Sequence, residues 1–235
     1  MFKFKKIVFL YTAVLTVAAV CQGQPIVADH NSASAFHDIP DYWIEQGKSQ
    51  LHIAYQHTSH GSQLITGMDA LKNFPAFGSK YEWSDNGSSG LDLDDYGIPA
   101  AKPDLSQGDY IDEYGVTPWV TGTRNLLDNT DNNHINVIMW SWCSINGHDI
   151  QRYLDNMEIL ISEYGEGGSK PRAAEHPVVF IFMTGHAEGQ GEGGFIYAAN
   201  NQIRQHCIAN DRVLFDFADI ESYDPDGNYY YDLPM

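Results

Sequence analysis

The sequence predicts one α/β domain: a mainly parallel sheet with helices on both faces, a three-layer sandwich. Two observations lead there. Continuous apolar runs, INVIMWSW at 135–142, VVFIFM at 178–183 and VLFDF at 213–217, alternate with amphipathic stretches at about 148–164 and 195–210. Strands apolar throughout are those buried on both sides, and strands alternating with helices are joined by parallel crossovers. In addition, neither an internal repeat nor a low-complexity linker divides the chain, and about 210 residues suffice for one sizeable core.

Taken in order, the elements begin with an export signal. Lys3, Lys5 and Lys6 precede an apolar run at 7–20 broken only by Tyr11, Thr12 and Thr16. A bilayer span needs ~20 apolar residues, so the run is short for one but matches a signal-peptide core. Cleavage after Cys21 follows an Ala19-Val20-Cys21 pattern, giving a signal at 1–21 and a domain at 22–235. The rival event, lipidation of Cys21 as the new N-terminus, fits less well because Val20 precedes the cysteine. Either way the expectation is a secreted or periplasmic protein with no membrane-spanning segment after cleavage.

Pro40 then opens a helix reaching Lys48, since proline suits a first helical position. A short strand follows at 51–55, and a helix at 63–72 carries Leu64, Met68 and Leu71 on one side. Residues 73–116, rich in Gly, Asp, Ser and Pro, read as a long loop of the functional kind. Thr117-Pro118 starts a helix to about Leu127.

Charge narrows the partners. The chain carries 13 Lys+Arg against 31 Asp+Glu, a formal charge of −18. Loss of the three signal lysines makes the working protein more acidic still. Such a field repels phosphate backbones, which excludes nucleic acid as a partner. Cys143 and Cys207 remain after cleavage, too few for a disulfide framework, and their pairing stays open.

In parallel sheets ligands bind beyond the carboxyl ends of the strands. The first strand runs into Gln56-His57-Thr58-Ser59-His60-Gly61-Ser62, a hydroxyl-bearing turn at a helix start. That position suits a nucleophile, because free N–H groups and the helix dipole stabilise an oxyanion. It equally suits a helix cap by Ser59 or Ser62. Later strand ends carry Ser141, Cys143, Ser144 and Asn146, then Thr184, His186 and Glu188, then Asp216, Asp219 and Glu221.

The segment LHIAYQHTSHGSQLITGM at 51–68 resembles the first block of the SGNH/GDSL hydrolases, in which a strand delivers Gly-Asp-Ser and a helix follows. His57-Thr58-Ser59 stands in that place, with Thr58 where the family has aspartate. The resemblance implies a flavodoxin-like sheet and Ser59 as nucleophile. It implies an oxyanion site drawn from Gly61, from a loop glycine (Gly87 or Gly90), and from Ser141, Ser144 or Asn146. The family's Asp-x-x-His block after the last strand has no counterpart here, since no histidine follows His206. Either a C-terminal histidine block is lacking through truncation, the reading adopted, or His186, His57 or His60 serves as the base.

The expected function is a secreted serine ester hydrolase acting on a small-molecule or polysaccharide ester, such as an acylated extracellular carbohydrate. The competing class is a non-catalytic carbohydrate- or surface-binding protein of the same fold. A catalytic metal held by His57, His60 and His186 with Asp216 or Asp219 is third; no metal ligand and no cofactor is assigned. Asp224-x-Asp226-x-Asn228 resembles a structural calcium loop but lacks the spaced glutamate, and 91–95 (LDLDD) is a weaker second candidate. Trp83, Trp119, Trp140 and Trp142 could stack on sugar rings, although core positions suit most of them.

Overall fold

The apolar runs form strands whose alternate side chains enter two different cores. The computed structural model describes residues 25–100, 104–107, 111, 116–224 and 226–230. The export segment and Cys21 lie outside the described residues. The elements are β1 (Val27–Ala28), α1 (His30–Ser34), α2 (Asp41–Gln50), β2 (His52–Gln56), α3 (Ser62–Lys72), β3 (Trp83–Ser84) and β4 (Leu91–Asp95). They continue with α4 (Pro118–Leu127), β5 (Val137–Trp140), α5 (Ile150–Tyr164), β6 (Val179–Met183), α6 (Phe195–Ala209), β7 (Val213–Phe215) and α7 (Phe217–Ile220).

The seven strands form one sheet in the order β1-β7-β6-β5-β2-β4-β3, and every pairing is parallel. Numbered by appearance, the five strands β4-β2-β5-β6-β7 run 2-1-3-4-5, the flavodoxin-like order. The two-residue strands β1 and β3 extend its edges. The fold is thus an α/β three-layer sandwich with a parallel sheet.

Side-chain period two sorts the strand residues. Ala54, Ile138, Trp140, Phe180, Phe182 and Leu214 join the larger core with residues of α4, α5 and α6. Tyr55, Leu93 and Met139 point the other way, into a smaller cluster against Leu64, Ile65 and Met68 of α3. The larger core seals its helices: α5 buries Leu154, Met157, Leu160 and Tyr164 along one stripe. By contrast α2 and α3 contain no fully buried residue. Among the described residues no helix is long and apolar enough to cross a membrane.

Two departures from the sequence reading have physical reasons. The long loop contains β3 and β4, and LDLDD is a strand because Leu91 and Leu93 alternate with aspartates. Asp92 bonds His52 across the strands at 2.6 Å. Pro40 is the N-cap of α2, not its first residue, with ψ 139° in the extended region. Trp83, Trp119, Trp140 and Trp142 are between 1% and 7% exposed, so all four are core and none offers a face to a sugar. Cys143 and Cys207 are both unpaired.

Candidate active site

In this strand order the chain leaves β2 toward one side of the sheet and β5 toward the other. A crevice therefore opens between their carboxyl ends, where ligands of open α/β sheets bind. Ser59 follows β2 into that crevice and Ser141 to Ser144 follow β5. The turn from β2 is a 3-10 turn, Ser59–Gly61, running directly into α3.

Ser59 is exposed and its φ of 42° is left-handed. That conformation costs a non-glycine residue roughly 1–3 kcal/mol and concentrates at functional sites. Among the described residues three non-glycines have positive φ, and two of them, Ser59 and Tyr96, sit at the carboxyl ends of adjacent strands β2 and β4. Ser59 does not act as a cap, because α3 has no side-chain capping bond; Ser62 Oγ instead donates to Ser59 O at 2.7 Å. Among the described residues the Ser59 hydroxyl has no hydrogen-bond partner. Ser59 and His60 open the helical run, so their N–H groups fall outside its ladder.

Gly61 makes the turn possible in a different way from an oxyanion donor. A Cβ there would overlap Ser141 Oγ and the Cβ of His57, so only glycine lets the turn close onto β5. Its N–H is committed to Thr58 O at 2.9 Å and its carbonyl accepts from Tyr55 Oη at 2.9 Å. Gly90 lies just before β4, at the amino edge of the sheet, and its neighbours there are Glu82 and Trp83. With strands rising about 3.3 Å per residue, the length of β4 separates Gly90 from the crevice. Gly87 likewise packs on Asp92 near that edge.

The imidazoles divide into two groups. His57 is 1% exposed, with Nε2 on Asp95 Oδ1 at 2.7 Å and its ring packed between Tyr55 and Tyr96. Its Nδ1 is buried without a partner among the described residues. In the other group His60 is half-buried and His186 is buried, 8% exposed. His60 stacks on His186 with centroids 3.5 Å apart, and His60 Nδ1 meets Cys143 O at 3.2 Å. His186 Nε2 lies 3.2 Å from Glu188 Oε1, which also accepts from Ser144 Oγ at 2.5 Å. The Asn146 N–H donates to the same Ser144 hydroxyl at 3.2 Å, and Asn146 itself is exposed. Ser144 and Asn146 thus stand near His186, while Gly90 stands apart.

Sequence reasoning missed one carboxylate here and named another, Glu221, only among the polar strand-end groups. Asp104, 3% exposed, accepts a short hydrogen bond from Thr58 Oγ1. A carboxylate therefore does stand against Thr58, supplied from the loop and not from the position before Ser59. Glu221 accepts the N–H of Ala187. Burial pushes its carboxyl up to about 7, against the smaller opposing effects of that bond and of His186. Asp216, by contrast, is structural: it holds Arg204 through two contacts at 2.6 and 2.8 Å and Thr184 Oγ1 at 3.0 Å.

For cations, Asp29, His30 and Asp219 bring ligand atoms within 4.8 Å of one another. His30 Nδ1 already engages Asp219 Oδ2 at 2.5 Å, and Asp29 is occupied capping α1. The loop at Asp224 closes on itself, its carboxylate accepting from Asp226 N, Asn228 N and Asn228 Nδ2. Comparison with protein-family models, with curated proteins and with solved structures finds no match.

Proposed function

We propose that the protein is a serine ester hydrolase with Ser59 as its nucleophile. The observation that carries this reading is the exposed Ser59 hydroxyl, held at φ 42° beyond the carboxyl end of β2 at the topological switch point. A strained strand-to-helix turn that presents a serine is the geometry acyl-transfer enzymes use to expose a nucleophile. The resemblance of 51–68 to the SGNH/GDSL hydrolases points the same way.

In this reading Ser59 Oγ attacks the ester carbonyl while an imidazole of the His60–His186 pair takes its proton. The N–H groups of Ser59 and His60 stabilise the oxyanion. Collapse expels the alcohol, which receives the proton from the imidazole, and water then releases the acid by the same steps in reverse roles. The Cys143 carbonyl beside His60 Nδ1 favours protonation there, which leaves His60 Nε2 as the basic nitrogen, whereas His186 Nε2 faces Glu188. His57 is outside this machinery, because its ring is sealed between tyrosines.

The test is hydrolysis of p-nitrophenyl acetate by the wild type and by Ser59→Ala. The reading requires turnover in the wild type and a loss of about a thousandfold or more in the variant; equal rates refute it. A second reading, a non-catalytic glycan-binding protein, draws on the absence of an imidazole bonded to Ser59 among the described residues. No turnover together with saturable glycan binding would favour it. Secretion stays part of the proposal and rests on the basic and apolar N-terminal pattern; N-terminal sequencing of exported protein tests it.

A further inference from the structure

We propose that the cavity beyond the carboxyl ends of β6 and β7 is a binding site for a neutral saccharide. The inference rests on the hydrolase reading in one respect, that the saccharide would carry the scissile ester. The cavity measures about 400 Å³, within the range of about 300–1,000 Å³ common for ligand pockets. Its wall contains Tyr197 of α6, Tyr223 and Tyr229 of the closing segment, and the polar groups of Asn201, Glu192 and Asp219.

The aromatic part of the wall is braced. Tyr223 stacks on His30 with centroids 3.6 Å apart and planes 9° from parallel. His30 is in turn fixed by Asp219, through its backbone N–H at 2.9 Å and its ring at 2.5 Å. Tyr223 also meets Tyr229 at 5.1 Å across an antiparallel bridge. Tyrosine rings held in place offer flat amphipathic surface at little further cost in order, the kind of surface on which the C–H face of a pyranose ring packs.

Charge selects among ligands. Among the described residues of the wall Arg204 is the one cation, and its guanidinium is already engaged. Nε and Nη2 grip Asp216 at 2.6 and 2.8 Å, and Nη1 donates to Asn201 at 2.8 Å. Glu192 and Asp219, the latter holding His30 through Oδ2, give the wall carboxylates, a character that disfavours phosphates, sulfates and uronates. Carboxylates only accept hydrogen bonds at neutral pH, so they call for a ligand rich in hydroxyl donors. The polar wall is equally unsuited to an acyl chain. A neutral sugar meets all three demands, donating to carboxylates, accepting from tyrosine hydroxyls and lying on the rings.

The cavity also touches the candidate catalytic edge. Asn200, buried in its wall, binds Gly185 twice, accepting from its N–H at 2.8 Å and donating to its carbonyl at 3.2 Å. Gly185 immediately precedes His186. A sugar in the cavity therefore lies against the segment that carries His186.

The experiment is calorimetric titration of the full chain carrying Ser59→Ala with cellohexaose, xylohexaose, mannohexaose and chitohexaose. The expected result is saturable binding of at least one, weakened about tenfold or more by Tyr229→Ala. Tyr229 is 42% exposed, so its removal leaves the fold in place. Tyr42→Ala, on the far helix α2, serves as the control and should bind as the parent does. Binding of none of the four, or equal binding by the Tyr229→Ala protein, overturns the proposal. Because titration uses the Ser59→Ala chain, its outcome is scored apart from p-nitrophenyl acetate turnover. Turnover without glycan binding removes the sugar site alone, and glycan binding without turnover removes the hydrolase alone.

Discussion

Two histidine clusters stand at the same edge of the sheet and differ in almost everything but composition. Around β2 and β4, His57 is closed between Tyr55 and Tyr96 and bonded to Asp95. Across β5 and β6, His60 and His186 lie face to face, His60 half-buried and His186 buried, with Glu188 and Ser144 beside them. A carboxylate partner is present in both, so it cannot by itself mark a functional histidine. Access at His60 distinguishes them: His57 is sealed between tyrosines, whereas His60 is partly exposed on the turn that carries Ser59, where chemistry is proposed.

Removing His57 should break this contrast if it is false. His57→Ala leaves Asp95 without its partner and a void between two tyrosines. A loss of about 3 kcal/mol is expected, read from the midpoint of denaturant unfolding. Esterase turnover per folded molecule should fall by less than about tenfold. A thousandfold loss with the fold intact would move His57 into the machinery and erase the distinction.

Glu221 sharpens the comparison from the His186 side. Burial raises its carboxyl to about 7 from an ordinary value of 4.5, so the folded state holds the proton more tightly than the unfolded chain. Its contribution is fully present below about pH 4.5 and is lost as pH rises through about 7. Glu221→Gln removes that dependence. Between pH 4.5 and 8 the variant should gain up to about 3 kcal/mol relative to wild type, measured as unfolding free energy at the two pH values. An identical pH dependence in the two proteins would show that Glu221 is not desolvated against the His186 loop.

The smallest effect concerns strain. Ser59→Gly relieves a left-handed φ of 42° and should stabilise the protein by about 1 kcal/mol while abolishing turnover. Greater stability with lost activity is the signature of strain retained for function. A destabilised Ser59→Gly protein would mean that the serine side chain supports the turn.

The contrast also shows what a sequence can carry. The α/β alternation was legible because β5, β6 and β7 are apolar runs between amphipathic helices. Strand β4 was hidden although Leu91, Asp92, Leu93 and Asp94 alternate strictly, a half-buried strand pattern; the aspartates read more readily as cation ligands. The edge strands β1 and β3, two residues each, are too short to leave any period. At the site, Ser59 and its turn were legible from local chemistry. The His60–His186 stack, the bond from Thr58 to Asp104 and the braced tyrosine wall were not. Each joins segments far apart in sequence, and no local spacing encodes which strand ends become neighbours. The tryptophans sit in the core, as expected for most of them, although residue type alone reports only a capacity for stacking and the fold decides exposure.

The central claim is that Ser59 is a nucleophile, and covalent labelling tests it most directly. The wild type would be treated with a fluorophosphonate, digested and mapped by mass spectrometry. The account predicts one adduct on Ser59, formed faster than on any other hydroxyl and absent from Ser59→Ala. An unlabelled protein, or an adduct on Ser62 or Ser144 with Ser59 untouched, would contradict it.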